Sequence, residues 1–205
     1  MNDRQNRPDT ESGFWPPRDK GESVPGAGVF AMRIFIASLS CAFFSLIALY
    51  FVLRAQAPEW PPPDAPPLPV SLWVSTALIL ACSVSIQLAL GSVRADEHRQ
   101  ARIGLVVTFV LGVLFMVSQA RGWHALRGLH DIDHVRPFVI TFFLLTGLHA
   151  LHMVGGLFLQ AFVTLRAFQG RYWSLYHPGV RYSAMYWHFL DAMWILLFVV
   201  LVLGS

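Results

Sequence analysis

Five mostly apolar blocks, at 29–53, 70–92, 103–120, 137–165 and 182–203, dominate this sequence. A helix rising ~1.5 Å per residue crosses a hydrocarbon core of about 30 Å in roughly twenty residues, and each block is near that length. Inside a bilayer no water satisfies backbone N–H and C=O groups, so such blocks must be helical. The expected fold is therefore all-α: a polytopic transmembrane bundle of about five spans, preceded by a polar tail over residues 1–28. Composition agrees. The chain is 55% hydrophobic and only 13% charged, whereas ordinary globular proteins carry about 25% charged residues. That is too few charges to build a surface wetted all round.

The connections differ in character. The tail holds Pro8, Pro16, Pro17 and Pro25 among many charges, and it is expected to be mobile because it cannot bury enough apolar surface to offset ordering entropy. Seven prolines between Pro58 and Pro69 exclude helix and favour a stiff extended connector. A charged turn is expected at Arg94–Arg102, a polar loop at Arg121–Arg136 and a basic loop at Arg166–Arg181. With the N-terminus inside, eleven basic residues fall on the inner side and four (Arg54, Arg121, Arg127 and Arg136) on the outer side. The positive-inside rule thus predicts an N-inside, C-outside topology.

Several functions are disfavoured. The net charge of +3 is small, and no basic stripe with interleaved aromatics points to nucleic acid. Cys41 and Cys82 both lie in apolar blocks and read as small packing residues, without a CxxC. No nucleophile–base constellation stands out, so no catalytic residue is assigned. The run His130-Asp131-Ile132-Asp133-His134 is read as a polar loop or subunit contact in preference to a metal site. No internal repeat or broken helix suggests a transporter.

Ionisable groups in lipid are costly and need a reason. Asp191 is the one carboxylate well inside a span, and His188 shares its helix face three residues earlier. His149 and His152 share a face of the fourth span in the same way. One reading makes these four residues polar glue between helices. The other makes the histidines haem or metal ligands, as in a His-ligated membrane cytochrome. Counting from the inner ends of their spans, His152 and Asp191 differ in depth by about 6 Å, and His149 and His188 by more. The glue reading is preferred, with no metal bound. Trp187 and Trp194 stand seven residues apart on one helix face, and Gly147, Gly155 and Gly156 allow close approach of a helix or a lipid chain.

Two segments carry a family resemblance. Tyr186-Trp187-His188-Phe189-Leu190-Asp191-Ala192-Met193-Trp194 resembles the YWHFVDVVW segment of cytochrome c oxidase subunit III. Thr146 to Gly156 (TGLHALHMVGG) resembles that family's TGxHxxHVxGG segment. A basic loop with His177 and Gly179 lies between them, in the family's order. Met32–Ser38, Leu72–Ser83 (with Ser75 where Asn is usual) and Thr108, Gly112, Phe115, Gln119 and Trp123 extend the likeness over about 30–205.

The resemblance implies a short, five-helix bacterial form of the subunit in the cytoplasmic membrane. It implies a non-redox accessory subunit of a haem-copper terminal oxidase, taking part in aerobic respiration. Haem and copper would sit in partner subunits, catalytic subunit I foremost. This chain would bind no cofactor of its own beyond phospholipid, and Arg166, Arg171, His177 and Arg181 are candidate lipid-phosphate contacts. A subunit-III-like protein associated with nitric oxide reductase is the near alternative. The chain also departs from the family. Leu39 stands where many members carry a membrane-buried Glu linked to proton uptake, Gly122 stands near another frequent Glu, and Arg181 replaces an often acidic residue. Leu39 cannot exchange a proton, so that role is not carried over, and a carbodiimide is not expected to label the first span.

Overall fold

The computed structural model describes residues 26–61, 68–126, 136–172 and 176–204. The expectations for the tail before Gly26, for most of the Pro-rich connector and for the His130–His134 run lie outside the described residues. The five expected spans are five helices: α1 (Ala27–Gln56), α2 (Ser71–Arg94), α3 (His98–Leu126), α4 (Arg136–Phe168) and α5 (Pro178–Gly204). All five contain a stretch long and apolar enough to cross a membrane.

Most helix ends run past the apolar blocks because polar residues at a membrane interface still complete helical turns. The charged turn expected over Arg94–Arg102 shrinks to Ala95–Glu97, since α3 already begins at His98. Asp96 takes the left-handed φ of 56°, and the amides of Asp96 and Glu97 cap the carbonyls of Val93 and Ser92. This is a Schellman ending with Asp in place of the usual Gly. α4 ends in the same way. Gly170, at φ 70°, donates to Ala167 O, and Arg171 donates to Arg166 O. Pro178 opens α5, where its missing N–H costs nothing. Arg166 and Arg181, expected in a loop, are therefore helical residues.

α2, α3, α4 and α5 close into a four-helix ring, and α1 lies across α4 and α5. α5 is the hub, touching α1, α2 and α4, and more of its span is buried than of any other helix. Trp187 and Trp194 are fully buried anchors in this hub. α1 is mostly exposed, with Phe43, Ile47 and Tyr50 on its inward face. Two close approaches set the helix spacing. A Cβ on Gly104 would sit 2.8 Å from Ala89 Cβ and 3.2 Å from its Cα, and one on Gly112 would sit 2.6 Å from the Trp187 ring.

Candidate functional site: the intramembrane polar contacts

The strongest polar junction involves a residue that hydropathy did not single out. Gln160 of α4 is fully buried. Its Nε2 donates to Leu105 O of α3 at 2.9 Å. Its Oε1 accepts from Ser183 Oγ at 2.7 Å and from Trp187 Nε1 at 3.1 Å, both on α5. One amide thus joins three helices. A glutamine in an apolar block was the available signal, but its neutrality kept it out of a search for ionisable groups.

Further hydrogen bonds repeat this logic at other depths. Trp194 Nε1 donates to Thr76 Oγ1 of α2 at 3.0 Å. Trp123 Nε1 of α3 donates to Thr146 Oγ1 of α4 at 3.0 Å. Ser75 Oγ donates to Ser118 Oγ, which donates to Ser71 O, each at 3.0 Å, and so ties α2 to α3. The unusual Ser75 thus has a defined partner. Beyond α1, Trp60 Nε1 donates to Gly204 O at 2.8 Å and fixes the end of α5.

The four ionisable side chains occupy separate contacts. His149 is fully buried among the rings of Phe43, Phe115 and Trp194, and neither ring nitrogen has a hydrogen-bond partner among the described residues. His152, half-buried one turn on, donates Nδ1–H to Leu148 O at 2.8 Å, and its own carbonyl accepts from Tyr186 OH at 3.1 Å. His188 turns away from α4 and towards α2. Its Nδ1 accepts from Ser83 Oγ at 2.7 Å, and its Nε2–H donates to Gln87 Oε1 at 3.2 Å. Asp191 is buried, with its carboxylate 4.0 Å from His188 Nδ1, outside hydrogen-bond distance. Among the described residues its two oxygens meet no partner in good hydrogen-bond geometry, although the Ser83 hydroxyl lies close enough to act on the carboxylate.

The glue reading lets imidazole and carboxylate satisfy one another or a buried water; among the described residues none of the four side chains hydrogen-bonds another. His149 packs as an aromatic ring, His152 bonds its own helix, and His188 bonds α2. A bis-imidazole iron site needs two rings converging on one point. His149 and His188 instead belong to different helix contacts. No cluster of three or more His, Cys, Asp or Glu residues comes together among the described residues.

The remaining candidates divide by environment. Gln119 is buried, and its Nε2 has no partner among the described residues. A Cβ on Gly147 would meet nothing within 4 Å among the described residues. One on Gly155 would meet only Tyr186 OH at 3.8 Å, whereas one on Gly156 would meet Leu190 and Tyr186 at 3.1 Å. The close approach inside the chain is therefore at Gly156. Gly122 faces Ser71 Oγ, 2.7 Å from the place of a Cβ, so a side chain there would have to displace that hydroxyl. Leu39 packs against the apolar core.

Among the basic residues, Arg166 lies over the Phe162 ring at 4.4 Å, and Arg166 and Arg171 both act on Tyr172. Burial pushes the Tyr172 phenol above its ordinary value of 10, against the pull of those two cations. His177 is half-buried, and Arg171 and Arg181 are exposed.

These features define a multi-pass membrane bundle whose interior polar groups chiefly join helix to helix. The comparison with known proteins places that bundle. The model of the family described as cytochrome c oxidase subunit III matches residues 26–205. Relatives named cytochrome c oxidase subunit 3 include one from the cyanobacterium Synechocystis, 29% identical over 95% of this chain and 84% of its own. One from Thermostichus vulcanus is 30% identical over 89% of this chain and 90% of its own. One from the carp Cyprinus carpio is 33% identical over 90% of this chain and 70% of its own. The chain belongs to the cytochrome c oxidase subunit III family. Neither the nitric oxide reductase reading nor that of an independent cytochrome gains support from these relatives.

Proposed function

We propose that this chain is the non-redox accessory subunit III of a haem-copper terminal oxidase. It sits in the bacterial cytoplasmic membrane, N-terminus inside and C-terminus outside, beside a catalytic subunit I that carries haem and copper. The observation that carries this reading is the family match across all five helices. The eleven-to-four distribution of basic residues supports the orientation.

A phospholipid role fits two apolar grooves flanking α3. One, of about 710 Å³, runs between α2 and α3. The other, of about 690 Å³, ends at His98, Arg99, Arg102 and Phe168. Arg102 Nε donates to Ala167 O at 3.2 Å, which holds that cation at the groove's inner end, where Arg suits a phosphate. These residues join Arg166, Arg171, His177 and Arg181 as candidate phosphate contacts.

Affinity capture of the tagged chain from membranes in a mild detergent tests the reading. A large haem-bearing subunit should co-elute in stoichiometric amount. Elution of the chain by itself from membranes that retain oxidase activity would overturn it.

A further inference from the structure

The edge between α2 and α5 carries a polar patch that lipid cannot satisfy. His188 is exposed, with 42% of its side chain open, and Gln87 beside it is exposed as well. His188 lies about 15 Å along α5 from Pro178, and Gln87 about 10 Å along α2 from Arg94. Both depths fall within the hydrocarbon of a core about 30 Å thick once the polar helix ends occupy the interface. The imidazole is satisfied on both nitrogens, by Ser83 and by the Gln87 carbonyl. That arrangement spends the Gln87 oxygen and leaves its amide nitrogen, with two N–H donors, unbonded among the described residues. Acyl chains offer no acceptor, and an unsatisfied polar group in hydrocarbon costs several kcal/mol.

The surroundings favour a helix as the occupant. Gly91, one turn from Gln87, faces open space, and Ala192, one turn from His188, is exposed. Small residues flanking a polar group let a neighbouring backbone come close. The outward face of α4 through Leu151, Phe158 and Leu165, exposed by 67%, 74% and 62%, also includes the exposed Gly155, but these side chains carry no polar group and suit lipid.

We propose that the Gln87–His188 edge of α2 and α5 is the docking surface for a transmembrane helix of the haem-bearing subunit, which presents a hydrogen-bond acceptor to the Gln87 amide. This rests on the accessory-subunit reading above. The test places a photo-crosslinking residue at Gln87, at Leu80 on the same stripe of α2, and at Phe158 on α4, each in the intact membrane complex. The Leu80 site leaves the patch itself untouched. The expected result is a crosslink to the haem-bearing subunit from positions 80 and 87, and lipid adducts alone from 158. Lipid adducts alone from both 80 and 87, in a complex that retains the haem-bearing subunit, would overturn this surface and leave the accessory-subunit reading standing. Absence of that subunit from the unsubstituted complex would sink both. In a second arm, Gln87→Leu should speed loss of the chain from the detergent-solubilised complex roughly three- to tenfold, the range expected for one intramembrane hydrogen bond. Unchanged retention would count against the proposed bond.

Discussion

Gln160 and His188 are both polar residues at membrane depth, and the molecule treats them oppositely. Gln160 is enclosed, and its amide is used on both sides, by Leu105 O and by Ser183 and Trp187. His188 is open at the edge of the bundle, its partners reach it from one neighbouring helix, and the Gln87 amide beside it is left over. An enclosed, satisfied group fixes how a chain packs on itself. An open one that leaves its partner's amide unused, as His188 leaves Gln87, points outward to an acceptor that lipid does not supply. Enclosure within the bundle or exposure at its edge separates the roles of these two residues.

The contrast can be broken by substitution. Gln160→Leu should have the largest effect, because it strands three buried groups on two other helices. A loss of about 2–4 kcal/mol is expected, read as a lowered thermal unfolding midpoint of the subunit within the purified complex. An unchanged midpoint would mean the junction contributes little. Gly104→Ala comes next. Its new Cβ meets Ala89 Cβ and backbone too closely, so α2 and α3 must separate at a cost of about 1–2 kcal/mol after the helix-propensity gain. Urea resistance of the detergent-solubilised complex measures this.

His188→Leu should change the chain's own stability by less than about 1 kcal/mol, since the ring is half exposed and its bonds lie at one edge. Its effect should show instead as weaker retention in the complex by quantitative gel analysis. A large unfolding defect would mean that the His188 bonds to α2 hold the bundle itself together. Gly147→Ala should be the mildest, within about 0.5 kcal/mol of the parent, because nothing among the described residues occupies the space. A marked defect would reveal a close neighbour from another subunit.

Hydropathy made the five helices legible, because a bilayer leaves long apolar blocks no other structure. Their ends were not, since the cues there are caps and not apolarity. Asp96 standing in for a C-terminal Gly, and Pro178 as a first helical residue, each moved a boundary into sequence that reads as loop. The motifs carried the family, but the partners of their residues could not be read from spacing. Which face of α5 meets α2 and which meets α4 is fixed by Gly112, Gly156 and the two tryptophans acting together. A single helix's periodicity does not carry that information. Gln160 shows the remaining gap: its importance comes from three partners on other helices, none of them near it in sequence.

At the centre stands the claim that the intramembrane histidines serve packing and docking while redox chemistry belongs to a neighbour. The most direct measurement is the optical spectrum and haem and copper content of the full chain after its separation from the complex. The account predicts a folded, helical subunit with no Soret band and no stoichiometric haem or copper. A chain that retains haem at one per subunit, and loses it on His149→Ala or His188→Ala, would contradict it.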